Sequence, residues 1–122
     1  MYKKLFTPLQ IGPVTIKNRL VVLPMDTDMC RQGYATDRYI AYHEERAKGG
    51  WGLILTEDYA VMENARRFEN TAGLWCDEQI EGHKKLTDTI HKYGSKIFCQ
   101  IYHCGQNSMR SVKKYAPSAI PN

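Results

Sequence analysis

Leu5-Phe-Thr-Pro-Leu-Gln-Ile-Gly-Pro-Val-Thr-Ile-Lys-Asn-Arg-Leu-Val-Val-Leu-Pro-Met25 is a turn-rich lead-in that runs directly into a short apolar strand. Gly12-Pro13 separates two short alternating segments, Leu9–Ile11 and Val14–Ile16, which predicts a small hairpin. After Arg19 the run Leu20–Leu23 lacks polar alternation, the pattern of a strand buried on both faces. Pro24 cannot donate a ladder hydrogen bond and ends that strand. In parallel α/β barrels, this end of a strand is where ligands are held.

The remainder alternates. Thr36 or Asp37 can cap a helix running to Lys48 and stopping at Gly49-Gly50, with Tyr39, Ile40, His43 and Ala47 on its apolar side. Leu53–Thr56 reads as a second buried strand leading into Glu57-Asp58-Tyr59. A long connection from Met62 to Trp75 precedes Asp77, which can cap a second helix with Ile80, His83, Leu86, Ile90 and Tyr93 on one face and Gly94 as its stop. The third strand is Lys96–Tyr102, followed by His103-Cys-Gly-Gln106. This order implies right-handed crossovers and parallel strands, with all three carboxyl ends on one edge. Strands this apolar need helices over both faces and neighbours at both edges, more than two helices supply. An eight-stranded barrel takes roughly 250 residues, and 122 residues is about half of that. A small flavodoxin-like sheet fits the alternation, but no phosphate loop follows the first strand.

Composition narrows the class. With 43% hydrophobic and 25% charged residues the chain is that of an ordinary globular domain, neither disordered nor coiled coil. The net charge of +4 is mild, and Lys3-Lys4, Arg66-Arg67 and Lys113-Lys114 are pairs among scattered acids, so they read as solvated surface and not as a nucleic-acid stripe. No signal peptide and no run of about 18 apolar residues occurs, against membrane or secreted fates. Cys30, Cys76, Cys99 and Cys104 form no C-x-x-C pair, so they read as reduced cytoplasmic thiols and not as a metal site or disulfide framework, with Cys99 facing the interior as a small hydrophobe.

No G-x-G-x-x-G, G-x-x-x-x-G-K-[ST] or H-E-x-x-H is present, and Gly49-Gly50-Trp51-Gly52 is a helix stop and turn, not a phosphate cradle. Gln100 stands in an otherwise apolar strand, where its amide must find partners. It is either a partnered core amide or a group that both donates to and accepts from a heterocycle edge. His103, at the same strand's exit, reads as a structural hydrogen-bonding residue or an acid–base group. Asp26, Asp28, Glu57 and Asp58 all fall at strand ends, either as solvated loop acids or as a convergent set for proton transfer or cation binding. His43, His83 and His91 have no partner at a metal-ligand spacing, and no metal site is expected.

Several stretches resemble the old yellow enzyme family of flavin-dependent NAD(P)H oxidoreductases. They are Leu5-Phe6-x-Pro8-Leu9-x-Ile11-Gly12-x-x-x-Ile16-Lys17-Asn18-Arg19, Pro24-Met25, Ala41-Tyr42-His43-x-Glu45-Arg46-Ala47-Lys48-Gly49-Gly50, Gly52-Leu-Ile-Leu-Thr-Glu57, Leu86-Thr87, Gly94-Ser-Lys-Ile97, Gln100-Ile-x-His103-x-Gly105 and Ala116-Pro-Ser-Ala-Ile120. The resemblance covers nearly the whole chain in family order. It implies the amino-terminal portion of a TIM (β/α)8 barrel, about three strand–helix units plus a base hairpin. Residues 1–122 would form a partial FMN-binding domain, with residues 5–19 as the hairpin lead-in and barrel strands near 20–25, 53–57 and 96–102. The implied reaction is hydride transfer from NADH or NADPH through FMN to the C=C of an enone or enoyl thioester. Pro24 and Met25 would contact the flavin through their backbone, Gln100 would hydrogen-bond its pyrimidine edge, and Asp26 and Asp58 would lie beside it. Thr27 and His103 would stand behind those contacts.

Asp26 and Asp58 occupy flavin-proximal positions where small or neutral residues are common in the family, and Gln106 replaces a frequent Arg. A carboxylate there opposes the negative charge that builds on flavin reduction. Asp26-Thr27 after Pro-Met resembles the dienoyl-CoA reductase branch. The family's substrate-binding and proton-donating residues, its phosphate loops and the long branch's iron–sulfur cysteines correspond to positions beyond residue 122, so catalytic residues are expected there. The chain ends inside the matching loop Ala116–Asn122, which reads as an interrupted sequence, inactive alone. The alternative is a non-catalytic fragment that folds only with a partner or second copy through uncovered strand edges.

Overall fold

A computed structural model describes residues 2–109 and 114–118. Lys113 of the Lys113-Lys114 pair and residues 119–122 of the loop that resembles the family lie outside the described residues. Strands β1 (Leu9–Ile11) and β2 (Val14–Ile16) form an antiparallel hairpin, with Leu9 opposite Ile16 and Ile11 opposite Val14. Gly12 takes φ +54° in the two-residue connection, a value that glycine adopts without steric cost. Asn18 then ties this lead-in to the sheet. Its amide donates to the Gly50 carbonyl at 2.8 Å, and its side-chain oxygen accepts the Leu20 N–H at 3.1 Å.

Strand β4 (Leu53–Ala60) is the centre of a parallel four-stranded sheet. Along one side it pairs first with β3 (Val21–Val22) and farther on with β5 (Ala72–Gly73); its other side takes β6 (Lys96–Tyr102). The β4–β6 ladder is interrupted: Leu55 pairs with Phe98, but the next pair is Asp58 with Gln100. β4 therefore carries one extra residue, a β-bulge at Thr56-Glu57. The Thr56 hydroxyl oxygen accepts the Gln100 backbone N–H at 3.4 Å across this bulge.

Helix α1 (Asp37–Lys48) is capped by Thr36, whose Oγ1 accepts the Tyr39 N–H at 3.1 Å and donates to the Met29 carbonyl. Its buried residues Tyr39, Ile40, His43 and Ala47 form one stripe, and Gly50 turns the chain out at φ +91°. Helix α2 (Ile80–His91) follows a 3-10 turn over Asp77–Gln79. The Gln79 side chain accepts the Trp75 N–H at 2.9 Å and donates to the Gly33 carbonyl at 3.3 Å. Tyr39, Ile40, Ile54, Tyr59, Leu86 and Ile90 close the core between the helices and one face of the sheet, with Val22 and Ile97 packed against it.

Within the long Met62–Trp75 connection lie a 3-10 turn over Glu63–Ala65 and the strand β5. Two sequence expectations are corrected. Ile80, the first residue of α2, is 59% exposed, and only Leu86 and Ile90 of the predicted face are buried hydrophobics in α2. Cys99 is exposed, not interior, because the outer edge of β6 has no strand beside it among the described residues.

Candidate functional site

The polar residues at the carboxyl ends of β3, β4 and β6 converge on the sheet face opposite the helices. Tyr59 lies in the helix-side core, so side-chain alternation turns its neighbour Asp58 to the other face, together with its ladder partner Gln100. Leu23 and Met25, just past β3, are each 65% exposed, an open apolar margin beside those polar groups. Pro24 is half-buried between them. The Gln100 side chain is exposed and has no hydrogen-bond partner among the described residues, so it is no partnered core amide.

Glu57 closes the other side of this rim. It is 1% exposed, and its Oε2 accepts the Thr27 backbone N–H while its Oε1 accepts from the Cys30 thiol at 3.8 Å. Asp26 lies within electrostatic reach of Glu57, Asp58 and Asp28. Burial pushes all three nearby acids, Asp26, Glu57 and Asp58, above the usual carboxylate range. Asp58 and Asp28 add repulsion at Asp26, whereas Arg67 opposes the rise at Asp26 and Asp58. Burial and the neighbouring Glu57 push the Cys30 thiol well up, so it stays protonated. Burial, with Cys104 and Asp58 nearby, raises the Tyr102 phenol to about 12.

The structure thus brings Asp26, Asp58 and Gln100 to one rim and anchors Thr27 there through Glu57. The Thr27 hydroxyl also accepts the Met29 N–H at 3.3 Å. His103 is engaged differently. Its Nδ1 accepts the Gly105 N–H at 3.0 Å, and its ring meets Tyr115 edge-on at 5.6 Å. Glu57 and Arg67 are the residues that sequence reasoning passed over: one was a strand-end acid among several, the other half of a surface pair. Arg66 corrects the solvated reading of that pair, being 5% exposed with bonds to the Glu63 and Glu69 carbonyls at 2.9 and 2.7 Å and stacking 5.1 Å from the Trp75 ring.

The donor set fits a flat heterocycle better than a cation. A free amide that can both donate and accept stands on the open face of the sheet. No group of three or more His, Cys, Asp or Glu is placed to hold a metal ion among the described residues. No described helix is long and apolar enough to cross a membrane.

The NADPH dehydrogenase of Listeria monocytogenes serotype 4a is 41% identical over 120 residues, which are 97% of this chain and 36% of that protein. The old yellow enzyme of Trypanosoma cruzi superposes with a TM-score of 0.88 at 29% identity, over 98% of this chain and 36% of that one. A 2-naphthoyl-CoA reductase in complex with 2-naphthoyl-CoA superposes at 0.87 with 31% identity, over 90% of this chain and 17% of that one. The chain therefore spans about a third of the length of the curated relatives it matches. Its parallel sheet and helices are the amino-terminal portion of a TIM barrel. The sequence pattern of one family runs through residues 4–121, almost end to end, and the chain belongs to that family, the NADH:flavin oxidoreductase / NADH oxidase family.

Proposed function

We propose that this chain supplies the first strand–helix units of an FMN-dependent oxidoreductase that passes hydride from NADH or NADPH to the C=C of an α,β-unsaturated carbonyl or enoyl thioester. The observation that carries this reading is the exposed amide of Gln100, without a hydrogen-bond partner among the described residues and in register with Asp58 on the open face of the sheet. When bound, FMN supplies the two-electron carrier. Gln100 hydrogen-bonds its pyrimidine edge, the Pro24-Met25 backbone lines the ring, and Asp26 and Asp58 stand beside it. Thr27, through Glu57, holds the strand exit in place, and His103 holds the turn behind Gln100. The thioester class is supported by the 2-naphthoyl-CoA bound to the structural neighbour, and Asp26-Thr27 by its likeness to the dienoyl-CoA reductase branch. Four free cysteines suit a reducing cytoplasm.

In this reading the chain alone does not turn over, because phosphate anchoring and substrate activation come from later parts of the barrel. Titrating it with FMN and then NADPH tests the reading. Weak flavin binding that Gln100→Ala abolishes, without NADPH oxidation, is expected. Tight binding with NADPH oxidation overturns the inactivity; binding indifferent to Gln100→Ala overturns the flavin site.

A second reading, association through uncovered edges, is favoured by β6. Ile101 on that strand is 72% exposed, and the strand's outer edge is unpaired among the described residues.

A further inference from the structure

The backbone of β6 uses one of its two edges. The Lys96 N–H donates to the Gly52 carbonyl at 2.9 Å, the Gln100 N–H to the Thr56 hydroxyl at 3.4 Å, and the Tyr102 carbonyl accepts the Val61 N–H at 3.1 Å, all on the side of β4. In a strand the N–H and C=O of one residue share an edge and those of the next take the other, so Ile97, Cys99 and Ile101 turn theirs outward. No strand lies there among the described residues. The devices that discourage edge pairing are missing too: β6 holds no proline, its single charge is Lys96 at the start, and the bulge is in β4. The stretches after β6 that lie outside the described residues, 110–113 and 119–122, are each shorter than the strand. The three outward residues also share the helix side of the sheet, since Ile97 packs on the core. On that side Ile101 is 72% exposed, and a cavity of about 230 Å³ is lined in part by Leu74, His83, Leu86, Ile97 and Cys99.

We propose that two copies of this 122-residue chain pair antiparallel through the outer edge of β6, about a two-fold axis at Cys99. This pairing rests on the association reading above, to which it adds the partner, the direction and the register. A two-fold pair uses the same surface twice and closes on itself. Centred on Cys99, it engages all three outward residues: Cys99 meets Cys99 of the second copy, and Ile97 meets Ile101 in both directions, each pair exchanging both backbone hydrogen bonds. Moving the centre by one residue leaves Ile97 or Ile101 of each copy opposite a residue outside β6. Directly opposed side chains share a face, so Ile101 of the second copy arrives beside Ile97, at the cavity that Ile97 lines, and its exposed surface is covered. On the open face Phe98 stands opposite Gln100 of the second copy, and each Gln100 amide gains an aromatic neighbour.

The test follows the 122-residue chain by sedimentation equilibrium and by backbone amide exchange over a range of concentrations. A dimer is expected, and as it fills the Ile97, Cys99 and Ile101 amides slow more than those of Phe98 and Gln100, which face β4 in either state. Cys99→Pro removes an outward N–H and no bond to β4, and is expected to give a monomer that circular dichroism shows to be folded. Should that variant not fold, the exchange pattern of the unaltered chain decides alone. A monomer at every concentration overturns both the pairing and the association reading. Dimers whose Ile97, Cys99 and Ile101 amides stay unprotected, or a folded Cys99→Pro that still dimerises, overturn the β6 pairing and leave the association reading standing.

Discussion

Asp58 and Gln100 are ladder partners directly beyond the bulge in β4, so an acid and a free amide stand side by side on the open face of the sheet. Their proximity makes the amide's ligand sensitive to the acid's charge. Burial already raises the Asp58 pKa. In the flavin-binding reading proposed above, formation of the Asp58 carboxylate as pH rises is expected to lower FMN affinity. Asp58→Asn removes the charge, and a several-fold gain in FMN affinity at high pH, with a flatter pH profile, is expected from flavin fluorescence titration. The chain's thermal stability should change little.

His43 supplies a pH dependence of stability. It is buried between Tyr39 and Tyr42 at ring distances of 4.6 and 5.1 Å, and neither ring nitrogen has a hydrogen-bond partner among the described residues. Burial, then Arg46, lower its pKa to about 4. Between that value and its unfolded value of about 6.5 the unfolded chain binds the extra proton, so stability falls as pH drops through this window. The raised acids Asp26, Glu57 and Asp58 act with the opposite sign, since their contribution is greatest at low pH and is lost as pH rises through their folded values. His43→Phe keeps the edge contacts and removes the titration. Urea denaturation at several pH values should show a shallower loss of stability below neutrality.

Arg66 is held by two backbone carbonyls, by Glu63 at 3.6 Å and by the Trp75 ring. Arg66→Ala removes these bonds and the guanidinium at the Trp75 ring, and is expected to cost about 2–4 kcal/mol in chemical denaturation. Arg66→Lys restores the charge but not the planar fork, and should recover less than half of the loss.

The exposed edge of β6 predicts association. Ile101→Lys places a charge on that strand, the device by which native sheets discourage edge pairing. Analytical ultracentrifugation is expected to show less self-association at equal concentration, with unfolding unchanged within about 0.5 kcal/mol.

Much of the architecture was legible because it follows periodicity. The stripe Tyr39, Ile40, His43 and Ala47 lies where a 3.6-residue repeat puts it. β5 was invisible because Ala72-Gly73 offers no apolar run, although it pairs with Tyr59 and Ala60. Ile80 and Cys99 were misjudged because apolar character predicts burial only where something covers the residue. Asp26, Asp58 and Gln100 could be placed at strand ends from the sequence, but the inward turn of Glu57 could not. It depends on the extra residue in β4, and counting by twos along a strand does not anticipate a bulge.

The central position of β4 also bears on the order in which such a chain acquires structure on the ribosome. β4 finds parallel neighbours on both flanks within the stretch ending at Tyr102. At synthesis rates of roughly 5–20 residues per second, this nucleus can close before later strands emerge. The margin of β6 that is unpaired among the described residues is then a template that would set the register of a strand pairing with it.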